Sequence, residues 1–258
     1  MSGIQIIGTQ QRVLGILMLD TKFPRPLGDV GHPDTFGVSV HMERIKGVFP
    51  DKAVTSAKRL RREQLLPGFQ GLVRSMQARG VQAITTSCGF LVLLQKELQS
   101  VAKIPVVTSS LLQLPALLAR EPQVGVLTIS ASSLSAEHLR AAGVPKERLK
   151  DVIVQGVPVG TEFVSKILGN QPTLDLARAE KDVVSAALAL QARAPGLKTL
   201  LLECTNMPPY KASMEAATGW QVRSLIDDPR LRKVIDATLA KAAPLADVQN
   251  TPSSGDSP

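Results

Sequence analysis

The sequence predicts an α/β protein made of two similar halves, each with a parallel sheet, facing one another across a cleft. Three observations carry that expectation. Short, continuously apolar runs alternate with helix-like segments along the chain, the pattern of strands buried on both faces of a parallel sheet. The chain repeats itself: Leu14-Gly15-Ile16-Leu17 returns as Val124-Gly125-Val126-Leu127 at an offset of 110, the kind of spacing a duplicated unit gives. The only two cysteines stand at the ends of apolar runs, in Thr85-Thr86-Ser87-Cys88-Gly89-Phe90 and in Leu202-Glu203-Cys204-Thr205-Asn206-Met207, offset by 116. Ile104-Pro105-Val106 begins sixteen residues after the first Cys, and Trp220-Gln221-Val222 sixteen after the second.

The elements follow in order. Arg12 to Leu19 reads as a buried strand, with Asp20 and Thr21 at its C-terminal end, where open α/β sheets place ligand chemistry. Residues 22–49 lack periodicity and are punctuated by Pro24, Pro26, Gly28, Gly31, Pro33 and Gly37, so they read as a long loop walling the strand ends. Arg25 in that loop is a candidate for a substrate carboxylate. Helices are expected over 53–65 and 67–79, the second with Pro67 at its start and Gly80 as its stop. Residues 81–86 form the strand that delivers Cys88, followed by a helix over 90–101, a strand over 104–108 and a helix over 111–120. The second half opens with a strand over 124–129 and a helix capped by Ser135 and stopped at Gly143. A strand over 151–155 and helices over 161–168 and 174–194 come next. The strand 198–202 delivers Cys204. A helix over 208–218, a strand over 220–224 and a helix over 229–242 close the fold. The expected division is 1–108 plus 220–243 as the first lobe and 109–219 as the second. Residues 244–258, rich in Pro, Ser, Asp and Gly, read as a disordered tail.

Composition narrows the function. No apolar run approaches the ~20 residues of a membrane helix, no basic-then-apolar leader opens the chain, and two cysteines make no disulfide framework. A soluble protein of the reducing cytoplasm is expected. The net charge of +8 gathers partly in Lys58-Arg59-Leu60-Arg61-Arg62, but aromatics are only 3% and no nucleic-acid-binding motif is present. A small anionic substrate is the expected partner, without nucleic acid or membrane. His32, His41 and His138 have no zinc-ligand spacing with the cysteines, so neither metal nor other cofactor is expected.

Two thiols at equivalent places in a repeat, amid Thr, Ser, Gly and Asn, point to acid–base work. A thiolate can take a proton next to a carbonyl or carboxylate, and a thiol can return one. Helix N-termini after each Cys are expected to lower the thiol pKa and to hold the carbanion's charge. Gly89 allows close approach of main chain to ligand. Thr205 and Asn206 offer hydrogen bonds, and Ser87, Ser109 and Ser110 add hydroxyls. Glu203 is either a further carboxylate at the site or an edge residue, and Asp20 either binds substrate or caps the turn.

With these motifs the sequence resembles the aspartate/glutamate racemase superfamily, over about Val13 to Ala242, and within it a less characterised branch named for the aspartate/glutamate racemases. The resemblance implies two flavodoxin-like lobes, often paired as homodimers, and Cys88 and Cys204 as the two acid–base residues. Asp20 would match the acidic residue after the first strand. Gly89, Phe90, Thr205 and Asn206, following the two cysteines, would form the carboxylate cradle. Glutamate racemases have Asn-Thr after the first Cys and Thr-His after the second; here Gly89-Phe90 and Thr205-Asn206 occupy those places. The implied function is a cofactor-independent racemase or epimerase acting on an amino acid or related anion. The alternatives are a cis–trans isomerase or decarboxylase using one Cys, or a binding protein that keeps the cleft without the chemistry.

Overall fold

The computed structural model describes residues 13–54 and 65–242. The basic run Lys58–Arg62, most of the helix expected over 53–65, the first residues and the tail 244–258 lie outside them.

Two four-stranded parallel sheets form two lobes of the same topology. The first contains β1 (Leu14–Met18), β2 (Val40–Arg44), β3 (Ala83–Thr86) and β4 (Val106–Val107), in the order β2-β1-β3-β4. The second contains β5 (Val124–Thr128), β6 (Val152–Gly156), β7 (Thr199–Leu202) and β8 (Gln221–Arg223), in the order β6-β5-β7-β8. Strands β1 and β5, the two members of the sequence repeat, hold the same place in their sheets and are buried along their whole length. Their shared glycine has a packing reason. A Cβ on Gly15 would sit 2.8 Å from Met76 Sδ, and one on Gly125 would sit 3.1 Å from Leu190 and Leu197, so each sheet lets a side chain press directly onto its inner strand.

Helices α1 (Pro50–Ala53), α2 (Leu65–Ala78), α3 (Gln95–Gln99) and α4 (Leu114–Leu118) belong to the first half of the chain, and α5 (Ala136–Ala141), α6 (Glu162–Leu168), α7 (Leu176–Arg193), α8 (Lys211–Thr218) and α9 (Pro229–Ala242) to the second. Phe69, Val73 and Met76 of α2 and Ala179, Val183, Ala186 and Leu190 of α7 repeat at helical spacing and are wholly or almost wholly buried. The two-residue strand β4 is held by side chains as well as main chain. Thr85 and Thr86 Oγ1 donate to the carbonyls of Val107 and Thr108 at 2.8 Å. The Gln95 side chain donates to Val106 O at 2.8 Å and accepts from Thr108 N at 3.0 Å.

The helices expected over 111–120 and 208–218 open as 3₁₀ turns, Ser110–Gln113 and Pro208–Tyr210, and three larger departures from the sequence reading stand beside them. The expected loop 22–49 contains β2, which pairs along the full length of β1. It is an edge strand, Val-His-Met-Glu-Arg, with four partly buried residues and an exposed Arg44, so it lacks the apolar run that marked the others. The expected helix 90–101 is a 3₁₀ segment, Gly89–Leu94, leading into α3. All six of its residues are buried, and a segment enclosed on every side has no amphipathic face to read. Strand 220–224, assigned to the first lobe, pairs with β7 and completes the second sheet. The chain returns just after it: Leu225, and Leu231 and Ile235 of α9, join Leu14, Ile16 and Met18 in one buried cluster against the first sheet.

Candidate active site

The two cysteine turns meet. Each follows the C-terminal end of the strand next to the repeat strand of its own sheet, β3 for Cys88 and β7 for Cys204. Ser87 fixes the first turn: its N–H donates to Leu17 O at 3.0 Å, and its Oγ accepts from Leu19 N at 3.0 Å. Thr205 then joins the turns across the lobes, its hydroxyl donating to Ser87 O at 2.7 Å. Ser110 adds a second link, from its hydroxyl to Leu202 O at 2.7 Å. The residues before Cys88 and after Cys204 are therefore one hydrogen bond apart. The two thiols, free and buried, border the same cleft.

Of the residues expected at a site, Ser87, Cys88, Gly89, Phe90, Cys204, Thr205 and Asn206 line this cleft. Asp20, Arg25 and Ser109 do not. Asp20 is partly exposed, accepts from Gly47 N at 2.9 Å and faces Arg44 at 3.7 Å. Ser109 caps the turn Ser110–Gln113, its Oγ accepting from Leu111 N. Arg25 is committed to Asp29 at 2.6 Å and to Thr21 Oγ1 at 3.0 Å, with its guanidinium 4.7 Å from the centre of the Phe23 ring. The partner Asp29 had no distinguishing signal in the sequence. It is 1% exposed, and its other oxygen accepts from Asn206 Nδ2 at 2.7 Å. Asn206 Oδ1 in turn accepts from the Cys204 thiol at 3.6 Å. A line of contacts thus runs from Arg25 through Asp29 and Asn206 to Cys204, and Val30 N seals it by donating to Thr205 O at 3.2 Å.

The sequence also gave no sign of the cleft's apolar walls. Leu19 and Phe23 come from the first half, Ile129, Ile167 and Leu168 from the second. Thr21, at the end of β1, lines it as well.

Glu203 resolves to the interior. It is 1% exposed, and one carboxyl oxygen accepts from the Thr128 hydroxyl at 2.7 Å while the other, Oε1, has no hydrogen-bond partner. That oxygen lies over Gly89: a Cβ there would sit 2.3 Å from both Glu203 Oε1 and Glu203 O. Burial raises the Glu203 pKa to about 8, with the Thr128 hydrogen bond opposing.

The thiols are shifted in the opposite sense to the expected lowering. Burial, then the Glu203 carboxyl beside it, raises Cys88 to about 12, against the N–H groups of Phe90 and Leu91 and the charge of Arg25. Cys204 is raised well above the ordinary thiol value by burial and then by Glu203, with the Asn206 N–H opposing. Two or three amide dipoles do not offset the loss of water around a sulfur anion.

No protein-family profile matches the chain. Solved structures share its fold. It superposes on glutamate racemase from Bacillus anthracis with a TM-score of 0.54 and 16% identity, covering 92% of this chain and 85% of the other. It superposes on unliganded arylmalonate decarboxylase with a TM-score of 0.52 and 13% identity, covering 88% and 91%. The fold is that of the aspartate/glutamate racemase and arylmalonate decarboxylase superfamily. Curated relatives are closer in sequence. The chain is 28% identical over 235 residues to a dimethylsulfoniopropionate lyase of Durusdinium sp. clade D, covering 84% of this chain and 76% of that protein. It is 30% identical over 241 residues to dimethylsulfoniopropionate lyase 3 of Emiliania huxleyi (strain CCMP1516), covering 84% of this chain and 61%, less than two thirds, of that protein. These relatives overturn the expectation of a racemase, epimerase or other isomerase: proteins similar in sequence over most of the chain carry the names of lyases. The alternative of a reaction needing one thiol fits them better.

Proposed function

We propose that this chain, which has the fold of the aspartate/glutamate racemase superfamily and relatives named as lyases, is itself a lyase that eliminates dimethyl sulfide from dimethylsulfoniopropionate. The observation that carries the reading is the conjunction of those relatives with two free thiols bordering one cleft at the strand ends.

The chemistry needs one base. The substrate is a propionate with a sulfonium on its β carbon. A thiolate of Cys88 or Cys204 removes a proton from the carbon next to the carboxylate. The C–H electron pair becomes the C=C bond, and the pair of the breaking Cβ–S bond leaves on sulfur. The products are acrylate, neutral dimethyl sulfide and a protonated thiol, which returns its proton to solvent. Racemisation and elimination share the first step and part at the second. With a good leaving group on the neighbouring carbon, the carbanion expels it before a second acid can return a proton.

The cleft suits both ends of such a substrate. Ser87 Oγ and Thr21 Oγ1 each accept a hydrogen bond, from Leu19 N and Arg25, which leaves their own hydrogens to donate to a carboxylate. Arg25, behind Thr21, adds its charge without entering the cleft. The apolar side chains of Phe23, Phe90 and Ile167 receive the S-methyl groups and keep out water. Among the described residues no helix is long and apolar enough to cross a membrane. Two unpaired thiols in one cleft favour a reducing compartment such as the cytoplasm.

The test is to incubate the purified protein with dimethylsulfoniopropionate and follow dimethyl sulfide by headspace gas chromatography and acrylate by NMR. Equimolar products are expected, with a fall of 10³-fold or more, of the order a lost general base gives, in at least one of Cys88→Ser and Cys204→Ser. Full activity in both variants, or no dimethyl sulfide from the wild type, overturns the reading.

A further inference from the structure

We propose that Glu203 is the counter-charge for the substrate's cationic centre, the residue by which the cleft selects an onium carboxylate over a neutral one of the same shape. The inference rests on the lyase reading and adds to it a specificity-determining residue.

Three observations carry it. Glu203 lines the cleft between the two thiols, yet is almost wholly buried. Its Oε1 makes no hydrogen bond, although Oε2 is held by Thr128 at 2.7 Å. A buried oxygen without a partner costs free energy, so the group is fixed at one end and unsatisfied at the end above Gly89. Gly89 itself leaves no side chain to cover that oxygen. Other carboxylates near the thiols are spoken for, Asp29 by Arg25, Gly31 N and Asn206.

A sulfonium has no N–H to donate. It is recognised by charge and by methyl contacts, so its natural partner is an anion or a ring face rather than a matched hydrogen-bond donor set. Glu203 Oε1 supplies the first, and Phe23 and Phe90 line the same cleft. The groups facing Glu203 are Thr128 from β5, Cys88 from the turn after β3, and its own neighbour Cys204. None is a cation that would compete. With its pKa raised to about 8 by burial, Glu203 enters the reaction neutral at pH 7, and a cation drives off its proton at a cost of about tenfold in affinity. The arriving positive charge also favours the thiolate that the chemistry needs, opposing the burial that holds both sulfurs protonated.

The test compares two unreactive isosteres by calorimetry, 3-(trimethylammonio)propanoate and 4,4-dimethylpentanoate, which differ in shape hardly at all and in charge by one. The wild type is expected to bind the zwitterion about tenfold or more tightly than the anion that lacks the onium charge. About one proton should be released at pH 7, read from the heats in two buffers. Glu203→Gln keeps the Thr128 hydrogen bond and is expected to bring the preference below twofold and abolish the proton release. Glu203→Asp is expected to retain a preference, and thermal melts of both variants check that they fold. An unchanged preference in Glu203→Gln, an absence of preference in the wild type, or binding of neither compound overturns the inference. Because calorimetry needs no turnover, a missing lyase activity with an intact charge preference would instead remove the parent reading alone.

Discussion

A carboxyl and two thiols lie buried together at the strand ends, and their protonation follows from that burial. Glu203 is raised to about 8 by burial, so between its ordinary value near 4.5 and about 8 the folded chain holds a proton that the unfolded chain has released. Stability is expected to fall as pH rises through that window. Glu203→Gln should remove most of the slope, being relatively more stable at pH 8 than at pH 5; chemical denaturation at the two pH values checks it. The thiols give the opposite sign for rate. With Cys88 raised to about 12 and Cys204 also raised, the basic form grows with pH, so kcat/KM for dimethyl sulfide release should still be climbing at pH 9. A profile flat from pH 6 to 9 would contradict it. At this scale the sequence disclosed the cysteines and their immediate flanks, because duplication marked them. It misled on the direction of their pKa shifts, since a turn's composition does not reveal how dry its surroundings are. It did not disclose that Arg25 is paired, because the partner Asp29, four residues on, looked like any loop aspartate.

Between residue and fold, single positions decide whether elements can approach. Gly89 starts the 3₁₀ segment after Cys88 where Glu203 crosses above it, and a methyl group there would meet the Glu203 carbonyl at 2.3 Å. A main-chain atom cannot swing aside, so Gly89→Ala is expected to cost about 2 kcal/mol, in the range of overpacked interiors. It should also spread the two cysteine turns; urea unfolding and the lyase assay read the two effects. The strands announced by apolar runs were legible, and so were α2, α7 and α9 with their helical spacing. β2 was hidden because an edge strand needs only half its residues apolar. The segment Gly89–Leu94 was hidden because a wholly buried run looks alike as strand, helix or 3₁₀ turn.

The two lobes are held together at more than the cysteine turns. Asn170, just beyond α6, accepts from Lys22 N at 2.7 Å and donates to Asp20 O at 3.0 Å, so the second lobe grips the first beside the cleft. Its backbone φ of 49° is one that glycine adopts freely, so Asn170→Gly tests the side chain alone. Losing two hydrogen bonds worth about 1 kcal/mol each should speed iodoacetamide labelling of the cleft thiols about thirtyfold without lowering secondary structure by circular dichroism. The repeat in the sequence foretold the matching topology of the lobes, though not where the chain crosses between them. That crossing has a consequence for how the protein is made. The chain runs through the strands of the first lobe, builds all four strands of the second, and only then supplies α9, whose Leu231 and Ile235 pack on Leu14, Ile16 and Met18 beside Val30 and Phe36. On the ribosome the half translated first therefore waits for the last part of its cover, while the half translated later has already completed its sheet.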